Sequence, residues 1–268
     1  MKFRKKKSLL IGFGILLLIA MLVILICNIF LWKEEKNYKA NYAAVGILAF
    51  IGIVNILLGI FSENKTHKKI ITTKMMSLVG VMGAISSILY IFVKFNLGIF
   101  PSFLDIQISE IPALIAGFAY GPVAGSLVII IRCIIKLPLT STSFVGEFAD
   151  LITGLALVIP ASLIYKKHKT FKGAIGGFCI SAVFSIAIAL IANWLILIPF
   201  YIKFFFNGSL DPLLGMCAMI PNINASNYMA LYLFVGCLPF NILRYILVGI
   251  FTFILYKGTH KLLNNITA

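Results

Sequence analysis

The chain has 268 residues, of which 61% are hydrophobic and only 12% charged, and its mean hydropathy is +1.07. That leaves too little polar surface for a water-soluble globule of this size, so the expected solvent is lipid. The formal net charge of +15 does not point to nucleic acid, because the lysines fall in short clusters between apolar runs and form no groove-like patch; their placement reports orientation in a membrane.

A membrane-crossing helix needs about 20 apolar residues, since each residue rises about 1.5 Å against a hydrocarbon core about 30 Å thick. The first such run is 8–32, behind the basic cluster Lys2, Arg4, Lys5, Lys6 and Lys7. It begins like a signal peptide, but it is longer than a cleavable one, and no small-x-small site precedes the charged segment 33–39. It is therefore read as a retained anchor. A polar hairpin leads to a second helix over 42–61, and a lysine-rich linker over 63–74 closes this part. The expected organisation is an N-terminal transmembrane helical hairpin over 1–70 and a six-helix core over 71–268, all-α and polytopic.

The six core helices are expected at 75–95, 109–120, 123–137, 144–165, 173–206 and 238–263, with a polar stretch over 207–226 before the last. Gly121-Pro122 separates the second from the third, because proline lacks the donor a helix interior requires and glycine permits a sharp turn. The second is short for a span, so either the loop before it is embedded or the helix stops midway. The clusters Lys65, Lys68, Lys69 and Lys74, then Lys166, Lys167, Lys169 and Lys172, then Lys257 and Lys261 fall on one side of this arrangement. By the positive-inside rule both termini are then cytoplasmic, in a multi-pass protein of the cell membrane.

Ionisable groups at membrane depth are costly and mark function. Arg132 lies in the third core helix, Glu147 and Asp150 in the fourth, and Arg244 in the last. Glu147 and Asp150 are three apart and share a helix face, making an acceptor-rich wall. They either pair with Arg132 or Arg244 as structural ion bridges or line a solute pocket, and both can hold at once. Asn241 and Arg244 have the same spacing after Pro239, where a kink would present an amide and a guanidinium together. Asn193 adds an amide and Trp194 an indole, either stacked on a ligand or packed at the membrane interface. Asp105 lies in a loop and is read as a gate residue, and Glu110 as a first-turn acid complementing the helix dipole behind a Ser109 cap. Gly80 with Ala84, and Gly83 with Ser87, form a small-residue ridge suited to close helix packing, internal or against a partner subunit.

The five cysteines are scattered through apolar runs without a C-x-x-C pair, and the three histidines lie in basic linkers, so no metal site is expected. No phosphate-binding loop, H-E-x-x-H or G-x-S-x-G is present, so no catalytic residue and no cofactor is expected and the chain itself hydrolyses no ATP.

The segments FLDIQISEIPALIAGFAYGPVAG, FVGEFADLITGLALVIPASLIYKK and PFNILRYILVGIFTFILYK, in this order over 75–263, resemble the riboflavin-type S components of energy-coupling factor (ECF) transporters. The resemblance implies a six-helix substrate-binding subunit that captures a water-soluble vitamin, riboflavin first, at its outer face. It further implies partnership with a transmembrane coupling subunit (EcfT) and two ECF ATPase subunits, and toppling in the membrane to release the cargo. By position it assigns substrate binding to Glu147, Asp150, Asn193, Asn241 and Arg244, and coupling-subunit contact to the ridge at Gly80 and Ala84. Riboflavin-type members commonly carry Lys-Asn where this chain has Arg132-Cys133, an Asn at Asp150 and a Lys at Arg244. Arginine and lysine are not equivalent hydrogen-bonding groups. Another vitamin, of pyridoxine, pantothenate, folate or thiamine type, is therefore the alternative, with an intramembrane lipid enzyme or a purely structural subunit as readings from other classes.

Overall fold

The computed structural model describes residues 72–140, 142 and 144–267, and the hairpin expected over 1–70 lies outside them. The elements in chain order are α1 (Thr73–Phe92), the short strands β1 (Lys94–Phe95) and β2 (Ile106–Gln107), α2 (Glu110–Tyr120) and α3 (Pro122–Lys136), which ends in the 3-10 turn Leu137–Leu139. There follow α4 (Val145–Lys167), α5 (Phe171–Phe205), the short α6 (Asp211–Met216), and α7, which starts as Tyr228–Leu231 and ends as Leu238–Thr267. Among the described residues five helices are long and apolar enough to cross a membrane, namely α1, α3, α4, α5 and α7. Large apolar side chains such as Val81, Ile88, Ile180, Val183 and Ile254 are more than half exposed, the surface a lipid-facing helix presents. This is an all-α multi-pass membrane protein.

Local chemistry sets the helix ends. The Thr72 hydroxyl accepts from Met75 N–H at 3.2 Å, and the Thr170 hydroxyl accepts from Gly173 N–H at 3.0 Å, so α1 and α5 start on side-chain caps. Gly121 adopts φ +91°, which a side chain resists, and Pro122 opens α3 where its missing N–H costs nothing.

The short second core helix, α2, turns out to be the centre of the fold. Nine of its eleven residues are buried, and it packs against α1, α3, α4 and α7. The loop before it folds back into the bundle. β1 and β2 pair antiparallel, with Lys94 opposite Gln107 and Phe95 opposite Ile106, and Ile106, Gln107 and Ser109 are all buried. Small residues allow the tight contact: a Cβ at Gly117 would collide with the Ser162 hydroxyl, and one at Gly125 would lie 2.8 Å from the Ala113 carbonyl and strike Val158.

One helix expectation needs correction. The last helix starts at Tyr228, not near 238, because the apolar run 228–237 continues it upstream through a π-helical stretch, Tyr232–Cys237. The polar stretch 207–226 contains α6. Both α5 and α7 use a π turn just before a proline. Ile198 N–H reaches back to the Asn193 carbonyl and Leu238 N–H to the Leu233 carbonyl, directly ahead of Pro199 and Pro239. A proline cannot donate to the turn before it, and the widened turn absorbs that loss without breaking the helix.

The packing yields a stability prediction. Gly125→Ala should destabilise the detergent-solubilised protein by about 1–3 kcal/mol through overpacking. Gly176→Ala, where no atom lies within 4 Å of the added Cβ, should leave the melting curve nearly unchanged. Equal melting shifts for the two would contradict this packing.

Candidate functional site

A cavity of about 300 Å³ lies between the ends of α1, α3, α4, α5 and α7, beneath the loop between β1 and β2. It sits far along each helix from one set of lysines: Lys74 opens α1, Lys166 and Lys167 close α4, and Lys172 lies in the first turn of α5. At the cavity end the lysines are Lys94, Lys136 and Lys203, and Lys94 is paired with Asp105 at 3.5 Å.

Behind the cavity wall lies a buried ion cluster. Glu110, in the first turn of α2, accepts through one oxygen from both Arg132 and Arg244, the former at 3.3 Å. Arg132 is wholly buried, donates also to the Ser109 hydroxyl, and sits 5.0 Å from the centre of the Tyr90 ring. Gly154 of α4 makes room for it, since a Cβ there would lie 3.0 Å from the guanidinium. Arg244 reaches on to Asp150 at 3.6 Å, so two guanidiniums and two carboxylates balance. A charge in a low-dielectric interior is tolerated only with such partners.

The cavity wall is built from the rest. Asp150 accepts from the Tyr90 hydroxyl at 2.5 Å and from the Gln107 amide at 3.1 Å, and its side chain stays 23% exposed toward the cavity. Glu147, one turn earlier, accepts from the hydroxyls of Thr140 at 2.8 Å and Thr142 at 2.7 Å. Asn193 and Tyr232, the first residues of the two π turns, meet across the helices, the tyrosine hydroxyl donating to the amide oxygen at 2.6 Å. The Asn241 amide donates to the Cys237 carbonyl at 2.8 Å. Tyr90, Phe103, Tyr201 and Phe240 contribute aromatic surface. The result is a cavity of mixed lining, aromatic surface beside acceptors and a guanidinium, a pattern suited to a small molecule with an aromatic face and polar groups.

The sequence-derived residues distribute unevenly. Glu147, Asp150, Asn193, Asn241, Arg244 and Asp105 all line the cavity. Trp194 does not: it is 54% exposed, and so is not placed to stack on a molecule held there. Gly83 and Ser87 are buried in internal packing, Gly83 against Ile131 of α3, whereas Gly80 and Ala84 are exposed and no side chain crowds Gly80. Of the proposed ion bridges, Asp150 pairs with Arg244, while Glu147 takes threonines. Ser109 makes no side-chain cap, since its hydroxyl serves Arg132. Glu110 is more than a first-turn acid complementing the helix dipole: two arginines deep in apolar helices demand a deep acid, and Glu110 is that acid. Tyr90 and Gln107 join the site only through tertiary packing and left no mark in the local pattern.

The sequence profile described as "ECF transporter, substrate-specific component" matches residues 74–256. The chain belongs to this family. Curated relatives of this ECF component include the riboflavin transporter RibU of Staphylococcus aureus (strain TCH60), 28% identical over 200 residues, or 75% of this chain and 94% of that protein. The riboflavin transporter FmnP of Bacillus subtilis (strain 168) is 26% identical over 175 residues, covering 63% of this chain and 85% of that protein. A solved S component of a bacterial ECF transporter superimposes with a TM-score of 0.54 at 26% identity, spanning 71% of this chain and 97% of the other.

The ion cluster predicts a large stability effect for a residue that never meets the cavity. Arg132→Met removes one of the two cations on Glu110 and should cost about 3 kcal/mol or more of folding stability, as breaking a buried pair does. Thermal melting of the purified apo protein in detergent measures it, and a shift within the scatter of surface substitutions would contradict the cluster.

Proposed function

We propose that this ECF component captures riboflavin in the cavity described above and passes it inward with energy from partner ATPases. The observation that carries the reading is the wall where the Asp150 carboxylate and the Arg244 guanidinium stand side by side in an aromatic-lined slot. An imide edge offers a donor between two acceptors, which suits a carboxylate beside a guanidinium, and ribityl hydroxyls suit Glu147, Asn193 and Asn241. Relatives carrying the name riboflavin transporter, matched over most of their length, support it.

In this reading Asp105, tied to Lys94, gates the mouth. The lysine-rich helix ends face the cytoplasm, so the cavity opens outward in the cell membrane, with both termini inside. Gly80 and Ala84, exposed on α1, meet the transmembrane coupling subunit EcfT, which two ECF ATPase subunits drive. The chain acts as a binding subunit and not as an enzyme.

Titration of the purified protein with riboflavin tests this directly. Flavin fluorescence should be quenched with saturation at submicromolar concentration, and Asp150→Ala should raise Kd by about tenfold or more, the cost of a lost charge-assisted hydrogen bond. Absence of riboflavin binding at micromolar concentration, alongside binding of pyridoxine, pantothenate, folate or thiamine, would overturn riboflavin in favour of another vitamin.

A further inference from the structure

Glu110 and Arg132 sit behind the cavity wall, not on it: neither lines the cavity, and their side chains are 1% and 0% exposed. Arg244 does line it, yet its terminal Nη2 is drawn back to Glu110 Oε1 on one side and toward Asp150 Oδ1, 3.6 Å away, on the other. The same Oε1 accepts from Arg132 Nη2 at 3.3 Å, while Arg132 Nη1 donates to the Ser109 hydroxyl. Glu110 Oε2 and the Nε atoms of both arginines have no hydrogen-bond partner among the described residues. Both guanidiniums thus converge on one carboxylate oxygen.

A long arginine side chain beside a polar cavity has many rotamers and would turn its charge toward water unless something behind it pulled harder. Glu110 supplies that pull, and Arg132 with Ser109 fixes Glu110. We propose that Glu110 is a positioning residue for the ligand of this cavity, which touches no ligand and sets the direction in which Arg244 presents its guanidinium. The ligand class this implies carries a carbonyl-type acceptor toward Arg244 and an N–H or O–H donor toward Asp150. The inference rests on the cavity being a ligand site, and it accounts for a fully buried acid on a helix that contributes no residue to the wall. With Glu110 neutralised, two guanidiniums would face only Asp150, and Arg244 would be released.

The test has two readouts, because a merely structural role for Glu110 would move stability alone. The first is riboflavin affinity across Glu110→Gln, Arg244→Ala and the double variant. Glu110→Gln should weaken binding by about tenfold or more in the unaltered background, in keeping with loss of a partner from a buried charge pair, and should add little once Arg244 is gone. Equal weakening in both backgrounds would overturn the proposal. The second readout needs no ligand. The sequence holds only three arginines, Arg4, Arg132 and Arg244, so modification of Arg244 by phenylglyoxal can be followed by peptide mass spectrometry. The Arg244 rate should rise several-fold in Glu110→Gln, and an unchanged rate would overturn the proposal. If the unaltered chain binds no riboflavin, the reading of the cavity as a riboflavin site fails, and the modification rate alone decides the role of Glu110. Should Glu110→Gln not fold, Glu110→Asp, which keeps the charge but withdraws it by one methylene, must show the same directions at smaller size, and no change in either readout would overturn the proposal.

Discussion

A single carboxylate oxygen, on Glu110, holds two guanidiniums inside a helical bundle whose buried side chains are mostly apolar. Each of these ions alone would be costly at membrane depth, and their mutual placement is what makes the arrangement tolerable. It also explains the odd second helix. α2 is too short to cross a bilayer and is buried on nearly every side, which makes sense if its task is to carry Glu110 to the point where Arg132 of α3 and Arg244 of α7 meet. Gly154 on α4 and the embedded loop carrying Gln107 and Ser109 then close around the same point.

The cavity follows from that constraint together with two helix irregularities. The π turns before Pro199 and Pro239 widen α5 and α7 where Asn193 and Tyr232 meet, next to the cavity end of both helices. At 35 residues, α5 is about 50 Å long at about 1.5 Å per residue, longer than the hydrocarbon core. Near its C-terminal end Ile198 packs with Leu213 and Cys217 from α6 and its end, and with Tyr232 and Cys237 of α7, against Phe103 and Leu104 of the loop. The loop bearing Asp105 is thus fixed from above by an apolar cluster and from the side by the β1–β2 pair.

Much of this architecture was legible in the sequence, because spans announce themselves by length and hydropathy. The helix starts at Thr73, Pro122 and Val145 fall within a few residues of expectation, as does the break at Gly121-Pro122. The start of α7 was misplaced because a proline and a polar flank look like a boundary, whereas a π turn lets the helix run through. For the site, intramembrane charge was the effective signal: Asp150 and Arg244 were found by it and stand together. Glu110 was hidden by a second, local explanation at a helix start, and Tyr90 and Gln107 by being ordinary residues whose role exists only after packing. Trp194 follows its packing reading rather than its ligand reading, since it is exposed while its neighbour Asn193, about 100° away around the helix, lines the cavity.

What unites these features is a bilayer-embedded charge cluster of which only one side is left for a guest. The measurement that tests this most directly is a crystal structure of the chain grown with riboflavin in a lipidic medium. The account predicts the flavin in the cavity within hydrogen-bond reach of Asp150 and Arg244, with the Glu110–Arg132 pair in place behind them. A flavin bound elsewhere, or a cavity closed by its own side chains while riboflavin is present at saturation, would contradict it.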